Sequence, residues 1–196
     1  MSKKNIFLDE LNSSDITIPS DFIKDNLNTS FWNDFVLNPL LKEKMLTIAK
    51  KFHEYLKINV MYEDIYFVGS MANYNWTDFS DIDIHVIYDF SKINKDQELV
   101  KNYVDSKKTI WNEKHNIKLK GYNVEVYAQS TTEEFDSAGI YSLLQDKWLS
   151  IPKKEKVIID KSALKAKIFS LANSIERVVS KFKKVDDKIL NVVAER

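Results

Sequence analysis

The chain has 196 residues, 44% of them hydrophobic, which suits one globular core with at most a small appendage. It has no cysteine, which excludes disulfide frameworks, thiol catalysis and Cys-ligated zinc, and only three glycines, too few for a Gly-rich dinucleotide-binding or P-loop fold. Net charge is zero, but residues 1–139 carry 22 acids against 16 bases and residues 140–196 carry 13 bases against 7 acids, so a basic tail able to meet phosphates follows an acidic head. The chain has neither a membrane-length apolar run nor the apolar stretch of a signal peptide at its start. A cytoplasmic protein without a membrane partner is the expectation.

Residues 1–30 read as irregular, with turn or cap signals at Ser13-Ser14-Asp15 and Pro19-Ser20-Asp21. A helical character is expected from Phe31, with a boundary at Asn38-Pro39, because the residue before proline avoids the helical region. Leu41, Met45, Ile48, Ala49, Phe52 and Leu56 recur at three- and four-residue steps and predict an amphipathic helix over 40–56. A short strand follows at 65–68, stopped by Gly69-Ser70, then a strand over 81–88 and a helix over 96–114. Residues 117–129 are β-rich with a break at Gly121, either a hairpin or a bulged strand, and 140–151 predict a hairpin turning near Gln145-Asp146. The end of the chain is a long helix in which Leu164, Ile168, Leu171, Ile175, Val178, Phe182, Val185 and Ile189 follow a seven-residue repeat. It can pack on the core, pair with a second copy or dock a partner, and packing on the core is the default. The expected organisation is an irregular segment over 1–30, a core over 31–152 and a basic helical extension over 153–196. The expected fold is α/β (or α+β), a small mixed sheet backed by helices with a long C-terminal helix.

Three pieces carry chemistry. Phe67-Val68-Gly69-Ser70 is a strand ending in Gly-Ser, Ser80-Asp81-Ile82-Asp83-Ile84 begins ten residues after Ser70, and Val124-Glu125-Val126 follows at a distance. On a strand, Asp81 and Asp83 share one face while Ile82, Ile84 and Val86 bury on the other. Adjacent carboxylates repel, and a hard divalent cation between them removes the repulsion. If the Glu125 strand lies beside the Asp83 strand, three carboxylates converge, enough for two Mg²⁺ ions at an in-line displacement on phosphorus. Glycine at position 69 lets backbone approach a phosphate, and a helix starting at Ser70 would add its free N–H groups and the hydroxyl.

This order of elements and motifs resembles the DNA-polymerase-β-like nucleotidyltransferase superfamily over roughly residues 60–130. The resemblance implies Asp81 and Asp83 as ligands of both metals, and Glu125 as a ligand of the catalytic metal that helps activate the acceptor. Gly69 and Ser70 would hold the triphosphate of an NTP, ATP being the expected one, and Mn²⁺ can stand in for Mg²⁺. The stretches 111–129 and 139–152 also resemble small nucleotidyltransferase-like proteins of phage genomes. Minimal members of toxin–antitoxin pairs carry Gly-Ser-x-Ala-Arg-Gly, whereas this chain has Gly69-Ser70-Met71-Ala72-Asn73-Tyr74, and its third acid is glutamate rather than the frequent aspartate.

His85 shares the face of Asp81 and Asp83 and is a candidate substrate contact, although a hydrogen-bonded neighbour is the commoner role. Tyr74, Trp76 and Phe79 either stack a base or plug their loop onto the core, and Tyr127 and Gln129 share the face of Glu125. The expected reaction moves an NMP from an NTP to a hydroxyl of a nucleic-acid 3′ end (RNA or tRNA), a small molecule or a protein, releasing pyrophosphate. The alternative is an inactive nucleotidyltransferase-like module that binds a partner, or a second copy as a homodimer, through the C-terminal helix. With Arg177 and Arg196 as the only arginines, sequence-specific base reading is not its main task.

Overall fold

The computed structural model describes residues 22–135, 137–154 and 160–194, and for Lys161 and residues 181–194 the backbone alone. These residues fall into two compact units, one within 20–155 and one holding the C-terminal helix.

The first unit opens with a small hairpin, β1 (Trp32–Asn33) and β2 (Val36–Leu37), where the sequence predicts helix. The reason lies in Asn33-Asp34. Asp34 adopts φ 53°, a left-handed conformation that Asn and Asp tolerate in turns, and this reverses the chain. The reversal buries Phe31 and Trp32 against the sheet rather than along a helix, with Trp32 stacked on Phe67 and Trp148. Helix α1 (Pro39–Leu56) follows, and the boundary expected at Asn38-Pro39 is its start. Asn38 caps it by accepting from the N–H groups of Leu40 and Leu41, and Pro39 takes the first helical position, where no N–H is needed. Its apolar stripe is buried throughout.

One mixed six-stranded sheet forms the centre, in the order β5-β6-β4-β3-β7-β8. The strands are β3 (Asp64–Val68), β4 (Ile82–Tyr88), β5 (Lys118–Leu119), β6 (Tyr122–Ser130), β7 (Ile140–Ser142) and β8 (Lys147–Ser150). β4 is antiparallel to β3 and parallel to β6, as a crossover through helices requires. That crossover contains a short α2 (Phe90–Ile93), absent from the sequence reading, and α3 (Gln97–Lys114), capped by Asp96. Residues 117–130 resolve as a hairpin, turning at Lys120-Gly121 with φ 54° and 93°, and β7 and β8 form the second predicted hairpin. Ile82, Ile84 and Val86 of β4 are fully buried on one face of the sheet. The edge of β6 beyond its short pairing with β5 is covered by α3. There the Asn112 side chain accepts from the Val126 N–H at 3.1 Å and donates to the Val126 carbonyl at 3.3 Å. Buried Asp64 ties β3 to the β7–β8 turn by accepting from the Ser142 hydroxyl and the Gln145 amide.

The second unit contains α4 (Lys161–Ala194), which spans the predicted C-terminal helix. No described helix is long and apolar enough to cross a membrane.

Candidate active site

The site forms where β3 ends and β4 begins. Pairing sets Asp83 between Val68 on β3 and Glu125 on β6, so Asp83 and Glu125 are lateral neighbours on one face. Asp81 lies two residues earlier, just before β4 rather than within it, and accepts from the Asn123 amide at 3.3 Å. Burial, then the neighbouring charges of Glu125 and Asp81, push the Asp83 carboxyl up to about 7. Glu125 accepts a short hydrogen bond from the Tyr127 hydroxyl, and the Lys108 ammonium lies 4.9 Å over the Tyr127 ring.

Gly69 is required twice over. Its φ of +75° is one that side-chain-bearing residues rarely adopt, and a Cβ there would stand 2.0 Å from Asp83 Oδ2. The expected helix at Ser70 is a single 3₁₀ turn, Ser70–Ala72. Neighbours clamp it on several sides. Trp32 Nε1–H donates to the Met71 carbonyl at 2.8 Å, and the Ser70 hydroxyl donates to Ser80 Oγ at 2.8 Å. The Gly69 N–H donates to Ser137 Oγ at 3.3 Å. Gly139 packs so closely that a Cβ would meet the Ala72 carbonyl oxygen at 1.9 Å.

A cleft of about 490 Å³ opens beside Asp83 and Gly69. His85 and Gln129 form part of its lining, with the imidazole Nδ1–H donating to Gln129 Oε1 at 2.5 Å. Burial, only partly offset by that bond, holds His85 below its ordinary pKa. Lys101, Asp105 and Lys108 project from successive turns of α3, and Glu133, Glu134 and Phe135 come from the loop after β6. Lys101 pairs with Glu133 at 2.7 Å and Lys108 with Asp105 at 3.4 Å. Tyr74 and Trp76 pack on the core, whereas Phe79 is 93% exposed. The other two histidines lie elsewhere, His53 against Tyr88 and His115 on the Trp111 carbonyl.

The fold therefore brings Gly69, Ser70, Asp81, Asp83 and Glu125 to one end of the central strands, with His85 further along β4 on the face of Asp83; of these, Gly69, Asp83 and His85 line the cleft. Among the described residues no group of three or more His, Asp or Glu side chains is close enough, as placed, to enclose an ion. The donor set is nevertheless all carboxylate oxygen, which suits a hard cation such as Mg²⁺, and the Asp83 carboxyl, raised by burial and then by its acidic neighbours, carries a charge cost that a cation would offset. Sequence reasoning missed Ser137, for which no local signal exists. It also missed the α3 wall, although Lys101, Asp105 and Lys108 repeat at helical spacing.

A family model described as a nucleotidyltransferase domain matches residues 46–164, more than half of the chain. No individual curated protein matches, and no solved structure does. The mixed sheet with four helices among the described residues is consistent with the nucleotidyltransferase fold. With Gly-Ser at the end of one strand, Asp-x-Asp at the start of the next and a third acid on the parallel neighbour, the chain belongs to the nucleotidyltransferase domain family of the polymerase-β-like superfamily.

Proposed function

We propose that the chain is an active, metal-dependent nucleotidyltransferase that moves an NMP from an NTP to the hydroxyl of a small-molecule acceptor. One observation carries this reading: Gly69 lies so close to Asp83 Oδ2 that no side chain fits between them, while Glu125 flanks Asp83 on the other strand. This supports a site in which Gly69 leaves room for Asp83 to stand beside Glu125 at the strand end, where transfer at phosphorus needs its carboxylates.

In this reading Asp81, Asp83 and Glu125 hold the cation, Mg²⁺ or Mn²⁺. When bound, it supplies charge neutralisation for the triphosphate and a lowered pKa for the acceptor hydroxyl. Gly69 lets the β- and γ-phosphates reach the backbone, and Ser70 turns its hydroxyl from Ser80 toward them. The acceptor oxygen attacks the α-phosphorus in line, and the bond from that phosphorus to the oxygen of the leaving pyrophosphate breaks. Glu125, oriented by Tyr127, takes the hydroxyl proton at its carboxylate. His85, held neutral and anchored by Gln129, lines the acceptor cleft. ATP is the expected donor, in a cytoplasmic setting.

The charge of the cleft favours a small, uncharged or cationic acceptor over an RNA 3′ end. Four acids line it (Asp83, Asp105, Glu133, Glu134) against two lysines, each of which lies beside an acid. A polyanionic strand would meet repulsion there. The test incubates the chain with each α-labelled NTP and Mg²⁺, separately with pooled RNA and with a pool of small hydroxyl compounds that includes amino sugars. Label in the small-molecule pool that disappears in the Asp81→Asn/Asp83→Asn variant supports the proposal. Label on RNA would replace the acceptor, and no label with any NTP would overturn the activity.

A further inference from the structure

We propose that α4 is the strand of a parallel, in-register two-stranded coiled coil, so that the protein pairs with a second copy of itself. The seam is visible in both sequence and structure. With Ile168 at a heptad a position, a is Lys161, Ile168, Ile175, Phe182 and Ile189, and d is Leu164, Leu171, Val178, Val185 and Val192, so nine of these ten seam positions are apolar. The structure makes this segment one continuous helix of 34 residues, about 51 Å long. Where side chains are described, the seam becomes open along its length: Leu164 and Ile168 are half-buried, while Leu171, Ile175 and Val178 are 63%, 56% and 52% exposed. Among the described residues, Leu171, Ile175 and Val178 leave an exposed apolar row on one helix face, while Ala172 at the adjoining e position is buried.

Three features select a second copy as the occupant. First, residue choice: β-branched Ile holds three of the five a positions and Leu the first two d positions, the preference of parallel dimers. Second, charge: in a parallel pair, g position Lys181 of one copy falls opposite e position Asp186 of the other. An antiparallel pair would instead set g against g, placing Lys167 opposite Lys188, where they repel. Third, area: nine seam side chains per helix, at roughly 80 Å² each, would bury about 1,400 Å² in total, within the range of stable interfaces.

The absence of native cysteine makes the test direct. Light scattering on the full chain at micromolar concentration should give twice the 23.0 kDa chain mass. Leu171→Lys/Ile175→Lys should give a monomer of unchanged core circular dichroism, and the f-position control Asn173→Lys should remain a dimer. Leu171→Cys and Val178→Cys, made separately, should both form disulfide-linked dimers on mild oxidation, while f-position Ser180→Cys should not. A monomeric wild type would overturn the proposal, pointing to a seam covered within the chain or left open. A dimer that survives the double lysine variant would place the interface elsewhere. Cross-linking at only one of positions 171 and 178 would overturn the parallel register, since an antiparallel pair cannot self-oppose both.

Discussion

Replacing Asp83 by asparagine should stabilise the metal-free protein, and the size and pH dependence of the gain follow from the site. Burial and the charges of Glu125 and Asp81 carry the Asp83 carboxyl from its ordinary 3.8 to about 7. At ~1.4 kcal/mol per pH unit this is roughly 4 kcal/mol, and because the side chain is partly exposed, about 2 kcal/mol is the realistic effect. The sign follows from linkage. The native state holds the Asp83 proton more tightly than the unfolded state does, so this group's stabilising contribution is complete below about pH 4 and is lost as pH rises to about 7. Above that, wild type carries the full cost of a part-buried charge beside Glu125 and Asp81, and Asp83→Asn, of the same shape but uncharged, does not. The assay is urea unfolding in EDTA, followed by the fluorescence of the four tryptophans, from pH 4.5 to 8. The variant should be more stable by about 2 kcal/mol at pH 8, with the gap narrowing toward pH 4.5. Millimolar Mg²⁺ at pH 8 should then raise wild type and leave the variant unmoved. A variant no more stable than wild type at pH 8, or a gap independent of pH, would mean that burial and the neighbouring carboxylates do not destabilise a charged Asp83.

Further outcomes follow from individual contacts. Gly69→Ala adds a Cβ 2.0 Å from Asp83 Oδ2 at a φ of +75°, so it should cost about 1–3 kcal/mol and reduce nucleotidyl transfer at least tenfold by displacing that carboxylate, read by thermal melting and steady-state kinetics. Tyr127→Phe removes the hydroxyl that orients Glu125, and kcat should fall roughly tenfold while NTP affinity, measured by calorimetry, stays unchanged. Asp64→Ala leaves the buried Ser142 hydroxyl without its acceptor, while the exposed Gln145 amide can turn to water, so urea unfolding should show a loss of about 1–3 kcal/mol with activity retained at low temperature.

Much of the fold is legible in the sequence because its central strands are short and strictly patterned. Ile82, Ile84 and Val86 alternate with Asp83 and His85, so the buried and chemical faces of β4 separate on inspection, and the Lys120-Gly121 turn announces its hairpin. The hairpin at Trp32–Leu37 was obscured because Phe31 and Trp32 form an apolar run whose partners, Phe67 and Trp148, lie far along the chain. The site divides in the same way. Gly69, Asp81, Asp83 and Glu125 carry a recognisable spacing, but the hydrogen bond from Gly69 to Ser137 spans 68 residues and leaves no mark in local sequence. The loop between Ser70 and Asp81 held two readings for its aromatics, and the structure divides them: Tyr74 and Trp76 pack inward, and Phe79 points to solvent.

The proposed reaction at Asp83 transfers a nucleotidyl group rather than a terminal phosphate. The most direct measurement runs two reactions in parallel with Mg²⁺ and the acceptor pool, one with α-labelled and one with γ-labelled ATP. The α label should move to the acceptor and the γ label should leave as pyrophosphate, and both should be abolished in Asp83→Asn. Transfer of the γ label to the acceptor, or α-label transfer that persists in Asp83→Asn, would contradict the proposed reaction.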